Sequence, residues 1–288
     1  MAKYVTVIVL AAMALTAGCR KSEPARSPAP YPRIVSFSPA LTGMLFEMGL
    51  GDHIVGVTSQ CSLPPGQNRP RVGDIFSIRA EPILAVQPDV VLAQSAAECF
   101  TTIRQIDPHV RIEHFQIERL KDIPVAARRL AVIARRPELG EARARQFESE
   151  LSQLQQRVAG LSRPRVLFVM GYKQPSTGGR NTFIDDMITQ AGGTNAASQY
   201  VGWQNVNLDG VMAMRPEVIV CWIDANVDQP QSARDYWLRL KGLPAADSGR
   251  VHIISDRDWT IPMLRLPNYI QQLINLLHPQ AATRNMQP

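Results

Sequence analysis

Glu81-Pro-Ile-Leu-Ala-Val-Gln-Pro-Asp-Val-Val-Leu92 returns in the second half of the chain as Asp209-Gly-Val-Met-Ala-Met-Arg-Pro-Glu-Val-Ile-Val220. Both stretches read as an acid, a helical turn, an alanine, a Pro-acid pair and a β-branched run. The proline stops the helix, because it lacks an N–H and clashes with the preceding turn. The acid after it sits in the turn, and the apolar run has the composition of a parallel strand buried on both faces. Short helix–strand units resemble one another by chance, but here acid, alanine, proline and second acid keep one register. The two halves therefore follow one plan, as an internal repeat requires.

Outward from the first copy, Ile34–Phe37, Ile54–Val57, Val90–Ala93 and Val110–Ile112 read as strands. Between them lie helical patterns: one opening at Ser38-Pro39 with Leu41, Met44, Leu45 and Met48 on one face, then Ala80–Val86 and Thr101–Ile106. Around the second copy, Arg165–Val169, Val218–Trp222 and Val251–Ile254 are strand-like, and Thr182–Ala191, Leu208–Met214 and Leu266–Leu277 are helical. Alternation of this kind predicts a parallel sheet in each half. Two helical stretches separate the halves, Leu120–Arg136 and Glu138–Leu161. The second has Pro137 at its start, carries Phe147, Leu151, Leu154 and Val158 on one stripe, and at 1.5 Å per residue spans roughly 36 Å. The expected fold class is α/β, with two similar lobes of mainly parallel sheet (33–118 and 163–288) joined by one long α-helix within 119–162.

The N-terminus predicts export. Lys3 precedes Val5–Leu15, an apolar run too short for a bilayer-spanning helix, which makes residues 1–18 a signal peptide. The run ends in Leu15-Thr-Ala-Gly-Cys19, which resembles the lipobox of bacterial lipoproteins and implies lipidation at Cys19. Residues 19–32, rich in Pro, Ser and charge, are expected to form a flexible tether to the membrane. The expected location is the periplasm or cell surface, by a lipid anchor.

A net charge of +6 is modest, and its arginine clusters at Arg128-Arg129, Arg135-Arg136 and Arg143/Arg145 lie in helical segments with acids nearby. They read as solvated helix faces, with no nucleic-acid partner. An oxidising compartment makes a Cys61–Cys99 disulfide the expected pairing, while Cys221 reads as a buried strand thiol. No Cys/His spacing suggests zinc, and the five histidines are scattered. No Gly-x-Ser-x-Gly elbow occurs, and Asp185 and Asp186 point to different helix faces, so no catalytic residue is assigned.

Several blocks together resemble the periplasmic binding proteins of the vitamin B12, haem and iron-siderophore importers. They are Arg33–Gly49, Val55-Gly-Val-Thr58, Arg71-Val-Gly-Asp74 and Glu81–Leu92, then Ala191-Gly-Gly-Thr-Asn195, Leu208–Val220 and Gly249–Ile254. Each is weak alone; their order and spacing from residue 33 onward make the set specific. The resemblance implies a monomer that is not an enzyme, has no resident cofactor, and captures a metal chelate between its lobes for an ATP-driven inner-membrane permease. Glu81 and Asp209 match the acids with which that family docks on the permease.

Ligands of open α/β sheets collect at the carboxyl ends of the strands. The candidate contacts are therefore Ser38, Gln60, Phe76 and Gln94 in the first lobe, and Tyr172, Arg180, Trp203, Trp222 and Trp259 in the second. The loop Gln174-Pro-Ser-Thr-Gly-Gly179 is expected to be flexible and to close on the ligand. Where the family's cobalamin binders place Trp and Tyr, the first-lobe loops have Gln60, Cys61 and Phe76. Corrinoid, haem and ferric siderophore all stay open, as do a bare divalent cation, an exported enzyme and a ligand-free interaction module.

Overall fold

The computed structural model describes residues 31–74, 77–94 and 97–280. The expected signal peptide, Cys19, most of the tether and Phe76 lie outside the described residues. The elements follow the alternating pattern. The first lobe comprises β1 (Ile34–Ser36), α1 (Pro39–Glu47), β2 (Ile54–Val57), α2 (Ala80–Ala85), β3 (Val90–Ala93), α3 (Thr101–Ile106) and β4 (Arg111–His114). Then come α4 (Asp122–Ile133) and α5 (Pro137–Arg157). The second lobe comprises β5 (Arg165–Met170), β6 (Ser176–Gly178), α6 (Phe183–Gln190), β7 (Thr194–Asn195), β8 (Trp203–Asn205), α7 (Leu208–Met214), β9 (Val218–Trp222), α8 (Pro230–Leu238), α9 (Pro244–Asp247), β10 (Val251–Ile254) and α10 (Leu266–Leu277).

The first sheet, in the order β2-β1-β3-β4, is wholly parallel. The second, β10-β9-β5-β6-β8, is parallel through β5, with β7 pairing β5, and then turns antiparallel. This corrects the reading of residues 174–179 as a flexible loop. Ser176–Gly178 is a strand whose buried Thr177 hydroxyl donates to Phe168 O at 2.7 Å.

Alternate strand residues face opposite ways, which divides the core. Val91 and Ala93 face one cluster with Ile83 of α2 and Ile103 of α3. Leu167, Val169, Ile219 and Cys221 face another with Val211 of α7 and Trp237 of α8. Their neighbours Val90, Leu92, Val166, Phe168, Val218 and Val220 face a third cluster, which also takes in α1, α4, α5, α6 and α10. The inner faces of both sheets thus share one continuous apolar layer.

Helix α5 lies in that layer, against α4 on the first-lobe side and α6 and α10 on the other. Its start is sharper than the pattern suggested: Arg135 turns left-handed (φ 59°), and Pro137 then opens the helix. A Cβ on Gly140 would lie 2.5 Å from Ala131 Cβ and 2.8 Å from Ala127 O, so only glycine permits this approach of α5 to α4. Arg128 ties the pair by bonding Glu141 at 2.7 Å and Glu148 at 2.9 Å, and with Arg145 it holds the Glu141 carboxyl down to about 2. Gly140→Val is expected to cost about 1–3 kcal/mol by overpacking, read as a lower urea midpoint with unchanged slope.

The sequence repeat is a repeat of hydrogen bonds as well. Arg33 N–H donates to Asp89 Oδ2 at 2.7 Å, and Arg165 N–H donates to Glu217 Oε2 at 2.6 Å. The guanidinium of Arg33 caps Val86 O and Gln87 O at the end of α2, and that of Arg165 caps Met214 O at the end of α7. Gln87 and Arg215, each just before the proline, share a φ of 46°. In each lobe an arginine opening the central strand fixes the short helix of the repeat, satisfying carbonyls left open at its C-terminus.

Candidate ligand-binding cleft

The strands β1 to β4 end at Ser36, Val57, Ala93 and His114; the parallel strands β5, β9 and β10 end at Met170, Trp222 and Ile254. These two sets of ends come together. Arg257, just past β10, donates to Gln60 O, just past β2, at 2.9 Å. Further polar clasps tie the second lobe to the connecting segment and to the first lobe. Arg119 bonds Asp186 through two nitrogens and Asn181 at 3.0 Å, and Leu120 N–H donates to Asp186 Oδ2 at 2.9 Å. Arg265 pairs with Glu47 and, at 2.7 Å, with Asp258. Burial pushes the Glu47 carboxyl above the ordinary glutamate range, and Arg265 only partly offsets this. Beside this pair Met263 rests on α1, where a Cβ on Gly43 would fall 2.2 Å from its sulfur. A cavity of about 250 Å³ opens between Phe46, Leu63, Asp258 and Arg265.

Of the first-lobe candidates, Ser38 and Gln94 are joined by a hydrogen bond, and Gln60 sits in a separate turn. Buried Ser38 caps α1, accepting from Leu41 N–H at 3.3 Å, and its hydroxyl donates to Gln94 Oε1. Gln94 O in turn lies 3.1 Å from His114 Nε2. Half-buried Gln60 sits in a turn that Arg71 fixes by donating to Thr58 O and Cys61 O, each at 2.7 Å. Sequence reasoning missed Arg71, Arg119 and Arg257 as cleft-building residues. Arg257 stood between Asp256 and Asp258, but its reach depends on how closely the lobes approach.

The expected Cys61–Cys99 bridge is absent: both thiols are free. Cys61 is buried, with its sulfur 3.2 Å from the hydroxyls of both Thr42 and Thr58, whereas Cys99 faces solvent on a 3-10 turn. Cys221 is buried as expected, and desolvation pushes its thiol up to about 11. A thiol-specific disulfide reagent at pH 8 is therefore expected to label one of these three cysteines rapidly in the folded protein and all three in denaturant. No rapid labelling would restore the bridge.

In the second lobe half-buried Trp222 ends β9, and its indole Nε1 donates to Asp256 O at 3.1 Å. Arg180 and Trp203 are both exposed on the antiparallel extension, with the Trp203 ring tilted against Phe183 at 5.8 Å. Two candidates are instead packed away. Trp259 is 2% exposed, stacked at 6.4 Å on Phe168 and edge-on to Tyr269 at 5.4 Å, so it is a core residue. Tyr172 is buried edge-on against Tyr236 at 5.4 Å. Glu81 and Asp209 are exposed in the first turns of α2 and α7. Both helices run back along their sheets toward the next strand. Their first turns therefore stand at the same end as the strand termini, on the faces turned away from α5.

Among the described residues no three His, Cys, Asp or Glu side chains converge as a metal site, and no helix is long and apolar enough to cross a membrane. Of the five histidines only His114 ends a strand at the cleft: His53 precedes β2, His109 precedes β4, His252 lies within β10 and His278 follows α10.

Comparison with known proteins places this architecture. The family described as periplasmic binding protein matches residues 34–256. A vitamin B12-binding protein of Pectobacterium carotovorum is 26% identical, over 79% of this chain and 81% of its own length. A periplasmic heme-binding protein of Roseiflexus sp. RS-1 superposes with a TM-score of 0.72 at 26% identity, covering 87% of this chain and 99% of that one. A periplasmic vitamin B12 binding protein of Vibrio cholerae superposes at 0.71 and 24% identity, covering 88% and 98%.

Proposed function

The chain belongs to the periplasmic binding protein family, and we propose that it captures a corrinoid between its lobes and delivers it to an inner-membrane ABC importer. The observation that carries the reading is the meeting of the two sets of strand ends, spanned by Arg257 and Gln60. Parallel sheets receive ligands at that end, where Gln94, Gln60 and Trp222 stand, and Trp203 and Arg180 are exposed on the outer edge of the second sheet. The single histidine at those ends, His114, is engaged with Gln94 O, and Tyr172 is enclosed by Tyr236. The bond to Gln94 O occupies only Nε2, so His114 keeps a ring nitrogen for an axial position, and haem, whose iron takes such a ligand from the protein, is the chelate to test beside the corrinoid. Residues 33–118 and 163–288 act as the two lobes with α5 as their spine, and the chain works as a monomer without catalysis. The lipobox-like Leu15–Cys19 supports a lipid anchor on the periplasmic side of a membrane.

The purified protein is titrated with cyanocobalamin and with haemin, following tryptophan fluorescence and thermal unfolding. Cyanocobalamin is expected to bind saturably, and at 100 times its Kd it should add about 2.7 kcal/mol to stability. Binding of haemin alone would exchange the chelate and keep the capture role. Binding of neither would sink the proposal.

A further inference from the structure

The second lobe carries a groove of about 420 Å³ between α7 and α8, whose apolar lining is Pro175, Val206, Leu208, Val211, Tyr236 and Trp237. Resting on the transport role proposed above, we propose that this groove receives an apolar side chain from a basic periplasmic loop of the importer's permease. Leu208 would be its principal contact.

Three observations converge on this partner. The first is position. Val211 and Trp237 belong to the cluster on the sheet face away from α5, and the groove opens where β8 ends at Asn205 and α7 begins. It therefore borders the cleft mouth from outside, where a partner taking the ligand must arrive. The second is charge. Asp209 is exposed in the first turn of α7 beside Leu208, whereas Lys173 stands at the groove itself. A basic residue is drawn to the Asp209 rim and repelled from the interior, which leaves the interior to an apolar side chain. The third is asymmetry within the repeat. The residue before the acid is Ala80 in the first lobe and Leu208 in the second. The second-lobe copy thus pairs the shorter acid with the larger apolar neighbour, and Leu208 keeps 41% of its surface exposed. A lone exposed leucine is ordinary; one on the rim of an apolar groove and beside an exposed acid matches a hot spot, an anchor ringed by polar contacts.

The test uses Leu208→Ala and Leu208→Ser, with Val132→Ser on α4, 61% exposed, as the control. The loaded protein is added to proteoliposomes holding its importer, with cyanocobalamin as the probe, and ATPase stimulation is followed against protein concentration. Leu208→Ser is expected to raise the half-saturating concentration about tenfold, with Leu208→Ala intermediate and Val132→Ser unchanged. Thermal midpoint and cyanocobalamin affinity should stay at parental values. An unaltered half-saturating concentration for Leu208→Ser, or an equal rise for Val132→Ser, would overturn the proposal. Loss of cyanocobalamin affinity in Leu208→Ser would overturn it too, by making the groove part of the ligand site. If the parent protein binds neither cyanocobalamin nor haemin, the capture role itself fails and the groove proposal falls with it; if it binds haemin alone, haemin replaces cyanocobalamin as the probe.

Discussion

Trp259→Ala is expected to lower the unfolding free energy by about 3–5 kcal/mol, the cost of emptying an aromatic site in a core that relaxes only partly. The ring is 2% exposed and flanked by Phe168 of β5 and Tyr269 of α10, so the void would open between a central strand and the closing helix. The surroundings resist collapse because Tyr269 is held by its hydroxyl, which donates to Asp256 Oδ2 at 2.7 Å. Chemical denaturation should show a much lower midpoint with the same slope, and Trp259→Phe should recover part of the loss. Cyanocobalamin affinity, measured per folded molecule, should change little. The opposite pattern, intact stability with lost affinity, would return Trp259 to the cleft.

The second large effect is expected in transport. Reversing both exposed acids, Glu81→Lys with Asp209→Lys, should reduce chelate uptake by at least about tenfold while leaving chelate affinity unchanged, since like charges facing each other across an interface cost several kcal/mol. The two acids occupy matching first turns, on the outward faces at the cleft end of each lobe. Each helix is held by its own arginine, Arg33 or Arg165, so the reversal changes charge without freeing the helix. Unfavourable interaction of the new lysines with the helix dipole amounts to only about 0.3–1 kcal/mol each. Each single reversal should give a partial loss, deepened at low salt where screening is weak. Lost chelate affinity would instead place the acids in the cleft, and unchanged uptake would remove them from docking.

Much of the fold was legible because its strands are Val/Ile-rich and its repeat keeps a register of acid, alanine and proline. The helix Leu208–Met214 has the bounds that its pattern gave. The antiparallel strands β6 and β8 were not legible. Ser176-Thr-Gly178 and Trp203-Gln-Asn205 are short, carry no apolar alternation, and become strands only by pairing with each other and with β5. Trp259 was misplaced for a related reason. Its local sequence, Asp256-Arg-Asp, is that of an exposed turn, and its burial comes from Phe168 and Tyr269, which are distant or on another element. The free thiols of Cys61 and Cys99 show the same limit. Compartment and spacing favoured a bridge, but nothing in the spacing records that Cys61 points inward to Thr42 and Thr58. Of the ligand candidates, Gln60, Gln94 and Trp222 lie at or just past strand ends, whereas Ser38, 1% exposed, is turned inward to cap α1 and bond Gln94. Tyr172 is drawn away by its ring contact with Tyr236.

The apolar layer shared by the inner faces of both sheets ties the two repeats into one body. Two copies of one plan usually retain some independence, yet here the two interiors run into one another through α5, which packs on α4 on one side and on α6 and α10 on the other. Severed between α5 and β5, each fragment would present to water the face that now rests on the other's helices. A change that displaces α5 is therefore felt on both sides of the layer.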